Sequence, residues 1–308
     1  MPRIISSWKL KTRTLELGRR TLVMGIVNIT PDSFSDGGAH ASTASAIEHA
    51  LQLLDQGADL LDLGAESTRP GSRAGGKLGT STAPAVDAAE EQRRLLPVIE
   101  GILKARPAAL LSIDTYKAST ARLAAQCGAE IINDVSGFLW DEQMPSACAE
   151  SGCGLVLMHT RGKPEEWRSL PAQSSDQLMI DVRSGLQRAV EQALAVGINR
   201  QSIVLDPGYG FGKGFDENYM LMARQPELLA LELPLLIGLS RKSFLGRTLA
   251  ELNGGVDLPA TQRDAASLAA MTATILAGAS IVRVHAVRPA VEAVRVIDAL
   301  LSAHTGNA

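Results

Sequence analysis

The chain is poor in the residues that crosslinked or metal-built domains depend on. It has only three cysteines, Cys127, Cys148 and Cys153, an odd number with no C-x-x-C pair. That excludes a disulfide framework and leads us to expect a reduced, cytoplasmic protein whose thiols pack as small hydrophobes. Its five histidines, His40, His49, His159, His285 and His304, lack the close spacing of metal ligands, so a zinc site is not expected. A basic excess is also missing: 30 Lys and Arg against 33 Asp and Glu leave a net charge of −3, which argues against a nucleic-acid partner. No apolar run approaches the roughly 18 residues needed to span a bilayer. Residues 1–20 have no apolar core of the kind a signal peptide needs, so neither a membrane partner nor secretion is expected. What is present is ordinary for a globular protein with a substantial core: 45% hydrophobic and 20% charged residues in 308.

Periodicity organises the chain. Short β-rich apolar runs at 22–28, 60–63, 110–114, 131–133, 154–159, 203–206, 235–239 and 281–284 alternate with helical patterns. The helices fall near 43–56, 85–105, 117–127, 142–151, 176–196, 218–231, 264–277 and 289–303. Uninterrupted apolar strands such as Leu155–Met158 suit parallel strands covered on both faces. Gly57, Gly128, Gly152, Gly197 and Gly278 follow the ends of five helices, where a left-handed cap is expected. Eight strand–helix units in strict alternation predict an α/β fold, a (β/α)8 TIM barrel. Residues 4–17 read as a short N-terminal β-hairpin closing the bottom. No boundary divides the chain, so residues 1–308 are expected to form a single domain, with 73–84 as an extended βα loop.

In a barrel of this kind the C-terminal ends of the strands share one mouth, and polar residues there read as functional. Every strand supplies one. In chain order they include Asn28, Glu66 to Arg69, Asp114, Asn133 with Asp134, His159, Asp206, Ser240 to Ser243, and Arg283 with His285. Asp114, Asn133 and Asp206 are short carboxylates and an amide on rigid stems, suited to the donor-rich edge of a flat heterocycle. Asp and Asn also cap helices, and that is the alternative for each of the three. Arg69, Arg283 and His285, with Thr68, suit an anion, because guanidinium can grip phosphate oxygens in pairs. The i, i+2 spacing of Arg283 and His285 puts both on one side of their strand.

The glycine-rich stretch Asp206–Lys213 is not a nucleotide loop. After Gly208 and Gly210 a dinucleotide fingerprint would need a third glycine where Lys213 stands, and a Walker loop would need one at Pro207. It reads as a loop whose backbone can approach a ligand closely. Lys242, between Arg241 and Ser243 at a strand end, reads as a ligand rather than a surface charge.

The stretches Met24–Gly38, Gly57–Gly71, Ser112–Thr115, Ile131–Val135, Asp206–Lys213, Ser240–Ser243 and Arg283–His285 resemble, in order, the signatures of the dihydropteroate synthases of the pterin-binding family. The resemblance implies a transferase that joins (7,8-dihydropterin-6-yl)methyl diphosphate to 4-aminobenzoate, releasing diphosphate, in folate biosynthesis. It implies Mg²⁺ as cofactor, held with the diphosphate by Asn28. Asp114, Asn133, Asp206 and Lys242 become the pterin pocket, and Thr68, Arg69, Arg283 and His285 the diphosphate site. Phe34, Pro70, Phe211 and Ser243 become the 4-aminobenzoate site, bordered by Lys242; Asp32 and Asp36 would join the metal shell, order the closed loop, or only cap turns. A homodimer through the later helices is also implied, as is a sulfonamide target. Two departures stand out: the long loop 73–84, and Ala286 after His285 where an Asp is typical, which leads us to expect a looser His285. A methyltetrahydrofolate methyltransferase domain or a non-catalytic paralogue would share the pterin residues, but neither needs a diphosphate grip.

Overall fold

The computed structural model describes residues 3–29, 38–66 and 86–304. An antiparallel hairpin, β1 (Ser6–Lys9) and β2 (Thr14–Leu17), precedes eight parallel strands. These are β3 (Leu22–Asn28), β4 (Leu60–Gly64), β5 (Leu111–Asp114), β6 (Ile131–Asp134), β7 (Gly154–Met158), β8 (Ile203–Asp206), β9 (Leu236–Ile237) and β10 (Ile281–Val284). The sheet order is β8-β7-β6-β5-β4-β3-β10-β9. A parallel bridge between Leu205 and Leu235, with the Leu205 amide donating to the Pro234 carbonyl at 2.9 Å, closes it into the expected barrel.

The helices run outside: α1 (Gly38–Asp55), α2 (Ala88–Ala105), α3 (Ala118–Gln126), α4 (Met144–Ser151), α5 (Ser175–Ala195), α6 (Phe215–Ala223), α7 (Ser243–Thr248), α8 (Asp264–Leu276) and α9 (Val287–His304). The glycines after α1, α3, α4, α5 and α8 all have φ between +65° and +105°, as their positions in the sequence required. Beyond shifts of a few residues at helix ends, three departures from the periodic reading change the elements themselves. The helix expected at 218–231 begins at Phe215 and breaks after Ala223 into a 3-10 segment, Gln225–Leu231, because Pro226 cannot continue an α ladder. β9 is two residues long instead of five: Pro234 lacks an N–H, and the Leu239 carbonyl turns back to accept from the Lys242 amide. α7, too short to show a period, was not foreseen.

Alternation along each strand divides the apolar residues into two clusters. Outward side chains such as Val23, Val27, Leu61, Leu63 and Ile113 pack under the helices. Inward ones at the N-terminal ends, including Met24, Leu60, Ile131, Val156, Val204 and Leu236, pack on Trp8, Leu10 and Leu17 of the hairpin. Trp8 is fully buried and its indole N–H donates to the Ser202 carbonyl at 2.9 Å. A tryptophan buried this way resists truncation by about 3–5 kcal/mol. At Gly154 a Cβ would lie 2.3 Å from the Leu10 Cδ2 methyl, so a larger residue would have to push Leu10 aside. The barrel floor is therefore apolar and plugged, and any ligand must enter from the other end.

Candidate active site

Above that floor the inward positions become polar. Asp62, Ser112, Asn133, Asp206 and Arg283 come from five strands and, with Asp114, form one interior layer. Arg283 is its hub. Its Nε donates to Asp62 Oδ2 at 2.5 Å and its Nη2 to Asp114 Oδ2 at 2.8 Å. Asp62 also accepts from Asn133 Nδ2 at 3.0 Å and from Ser112 Oγ at 2.6 Å. None of Asp114, Asn133 and Asp206 caps the helix that follows; those caps are Lys117, Gln143 and Gly214. Burial pushes the carboxyls of Asp114 and Asp206 upward in pKa, opposed at Asp114 mainly by Arg283 and at Asp206 mainly by the Gly208 amide.

Asp62 was not singled out from the sequence because it sits in the middle of a strand, not at its end. The signal was available: one carboxylate inside Leu60-Leu61-Asp62-Leu63 is a buried charge that needs a partner.

One side of the mouth is built by the loop after β8. Asp206 Oδ1 accepts from the Gly208 amide at 2.7 Å, and Gly208 takes φ +70°, where a Cβ would collide with the His159 carbonyl at 1.9 Å. Lys213, buried, ties this loop down: Nζ donates to the carbonyls of Gly208 (2.8 Å), His159 (3.3 Å) and Phe211 (3.3 Å). Burial depresses its pKa to about 7. The loop thus presents Phe211, set edge-to-face against Trp167 at 5.3 Å, with Lys242 Nζ 4.0 Å from the ring centroid. Lys242 precedes α7, and the residue before it, Arg241, is a non-glycine at φ +59°, a strained conformation. An Asp264 fork at 2.7 and 2.9 Å on the Arg241 guanidinium and the Ser267 hydroxyl on its amide hold that turn. Ser243, the first residue of α7, is exposed beside it and lines a cavity of about 540 Å³ with Phe215 and Phe244.

Beyond that turn, Asn28 ends β3 and shares a cavity of about 450 Å³ with His285, Arg241 and His49. His285 is not loose despite Ala286. Ser240 Oγ lies 2.9 Å from Nδ1 and accepts from the His285 amide at 3.2 Å.

Two polar strand ends do not enter the site. His159 is buried behind the barrel wall against Gly185 of α5, and burial holds its pKa well below the usual range. Asp134 points outward and accepts from the amides of Ser136 and Phe138 and the Ser136 hydroxyl, closing a turn. Glu66 is engaged by Lys117 Nζ at 2.6 Å. Phe34, Thr68, Arg69 and Pro70, with Asp32, Asp36 and loop 73–84, lie outside the described residues. Among the described residues no group of three His, Cys, Asp or Glu side chains could hold a metal by itself.

Comparison with known proteins points to one family. The family described as pterin binding enzyme matches residues 24–285. The dihydropteroate synthase of Escherichia coli is 40% identical over 281 residues, covering 91% of this chain and 92% of that protein. That of Bacillus subtilis is 39% identical over 292 residues, covering 95% and 93%. Among solved structures, the Yersinia pestis synthase in complex with a sulfonamide drug superposes with a TM-score of 0.83 at 39% identity, covering 96% of this chain and 99% of its own. The Xanthomonas albilineans synthase with 4-aminobenzoic acid gives 0.81 at 38%, again covering 96% and 99%. With the barrel, its polar interior and these likenesses together, the chain belongs to the pterin-binding enzyme family and, within it, to the dihydropteroate synthases.

Proposed function

We propose that the polar layer and the two walls of the mouth divide the synthase reaction among three subsites, carried above all by the convergence of Asp114, Asn133 and Asp206 on one interior level. Asp114, Asn133 and Asp206 hold the dihydropterin by its ring N–H and amino donors, with Lys242 at its carbonyl. Arg283 and His285, joined by Thr68 and Arg69, hold the diphosphate. Phe211, Ser243, Phe34 and Pro70 hold 4-aminobenzoate beside Lys242.

The bond between the pterin methylene and the diphosphate oxygen breaks, and the amine nitrogen bonds to that carbon and loses a proton. Breaking leads, because the electron-rich ring can carry the cation, and ionised Asp114 and Asp206 favour that positive charge. Arg283 and His285 favour the charge gathering on the leaving oxygens. An aryl amine is already neutral at pH 7, so no nucleophile–base pair is needed.

Asn28 offers one neutral oxygen at the mouth, which fits a Mg²⁺ ligated mainly by diphosphate oxygens and water. When bound, Mg²⁺ would neutralise the leaving diphosphate. A sulfonamide drug is bound by the Yersinia pestis relative, and the same class of compound would compete with 4-aminobenzoate here. A homodimer through the later helices is supported by Val296 and Leu300, one turn apart on α9 and 68% and 55% exposed. Among the described residues no helix is long and apolar enough to cross a membrane. We place the enzyme in the cytoplasm, where three free cysteines would stay reduced.

Diphosphate release from dihydropterin diphosphate should require both 4-aminobenzoate and Mg²⁺, with EDTA lowering the rate by at least about a hundredfold. No release above background with all components present would overturn the reading.

A further inference from the structure

One carboxylate inside the barrel is out of any substrate's reach. Asp62 has no exposed surface, and its oxygens are taken by Ser112, Asn133 and Arg283. Asp114, by contrast, stands at a strand end with part of its side chain open to the mouth. Arg283 is therefore held at two different atoms by two different kinds of partner. Its Nε is fixed to a carboxylate sealed inside the wall, and its Nη2 to a carboxylate that a ligand can approach. His285, two residues on, follows Arg283 in the i, i+2 alternation and lines the cavity at Asn28.

We infer that Asp62 is a positioning residue for the reaction, the fixed end of an exchange in which Arg283 passes from Asp114 to the diphosphate when the pterin takes Asp114. This rests on the subsite reading above, in which Asp114 receives the ring donors and Arg283 the leaving group. A carboxylate accepting two ring donors has less to offer a guanidinium, so pterin docking weakens the Nη2 bond. The Nε bond is untouched, because nothing in the mouth reaches Asp62. The guanidinium stays pinned at one nitrogen while its terminal donors become available beside His285. A cation held at one end is preorganised for the anion, whereas a free one must be ordered when the anion arrives.

The exchange makes a thermodynamic demand. If the pterin releases Arg283, then pterin and diphosphate must help each other to bind, and the enhancement must be the same from either side. Asp62→Asn keeps the shape and the hydrogen-bond acceptor for Nε but removes the charge that pins it.

The test is calorimetric titration of the full chain with inorganic diphosphate in the presence of Mg²⁺, with and without saturating 6-hydroxymethylpterin, and the reciprocal titration. The wild type is expected to bind diphosphate about tenfold tighter with the pterin present, and the pterin to gain equally from diphosphate. In D62N the enhancement should fall below about threefold, and kcat by about tenfold or more, while KM for 4-aminobenzoate stays within about twofold. A loss of stability alone would not separate these quantities. Should D62N not fold, Ser112→Ala frees one Asp62 oxygen while keeping the charge, and should lower the enhancement by about threefold. Turnover by the wild type without any mutual enhancement would overturn the exchange while leaving the functional reading intact. No turnover would sink that reading itself. An undiminished enhancement in D62N, or in S112A where that is the variant used, would remove Asp62 from the role.

Discussion

Replacing Arg283 with alanine separates what this residue does for folding from what it does for catalysis. The wild-type guanidinium neutralises Asp62, which has no exposed surface, and Asp114 at its side. Removing one partner of a buried ion pair costs about 3–5 kcal/mol, because the charge left behind keeps its desolvation penalty. Ser112 and Asn133 would still donate to Asp62, so the lower end of that range applies. The loss depends on pH, and its sign can be worked out. Without Arg283 the folded-state pKa of Asp114, already raised by burial, moves further above the unfolded value of about 3.9. Between those values the folded state binds more protons than the unfolded one, so the variant loses stability as pH rises through that window. The deficit against wild type should therefore be about 3 kcal/mol at pH 8 and clearly smaller at pH 5. Catalysis should fall separately, by at least about a hundredfold in diphosphate release, since one preorganised donor to a developing anion is worth about 2.7–4 kcal/mol. Urea denaturation at the two pH values, with steady-state rates at pH 8, measures both effects. A variant as stable as wild type at pH 8, or one whose rate falls less than tenfold, would refute the central place given to Arg283.

Lys213→Met tests the lysine buried under the loop after β8. With a folded pKa of about 7, its ammonium loses a proton in the native state well before the unfolded chain does near 10.4, so its contribution to stability rises with pH across that window. Between pH 7 and pH 9 the wild type should gain about 2–3 kcal/mol relative to the variant in denaturation experiments, and parallel pH curves would contradict the depressed value. Ser240→Ala removes the hydroxyl that lies on both the Nδ1 and the amide of His285. It should lower kcat/KM for dihydropterin diphosphate by about tenfold and leave KM for 4-aminobenzoate unchanged; unaltered kinetics would mean that Ser240 does not orient His285.

What the sequence determined by itself was whatever depends on near neighbours along the chain. Strand and helix alternation follows from local periodicity, and helix ends from glycines such as Gly128 and Gly197 that accept positive φ. The polar identity of the strand ends was legible for the same reason, and the structure has Asp114, Asn133, Asp206 and Arg283 toward the C-terminal ends of their strands, with His285 just beyond. It could not say which way each end faces. His159 and Asp134 are as polar as their neighbours and end up behind the wall, because a single residue's shift in register reverses a side chain. Nor could it pair groups far apart in sequence. Arg283 meets Asp62 across 221 positions and Asp114 across 169. Those contacts exist only because the closed barrel brings β10, β4 and β5 around one axis. Tertiary structure alone decided that Asp62, in the middle of an apolar strand, is the anchor of the polar layer: a buried carboxylate is tolerated only where its partners converge, and convergence is a property of the closed sheet.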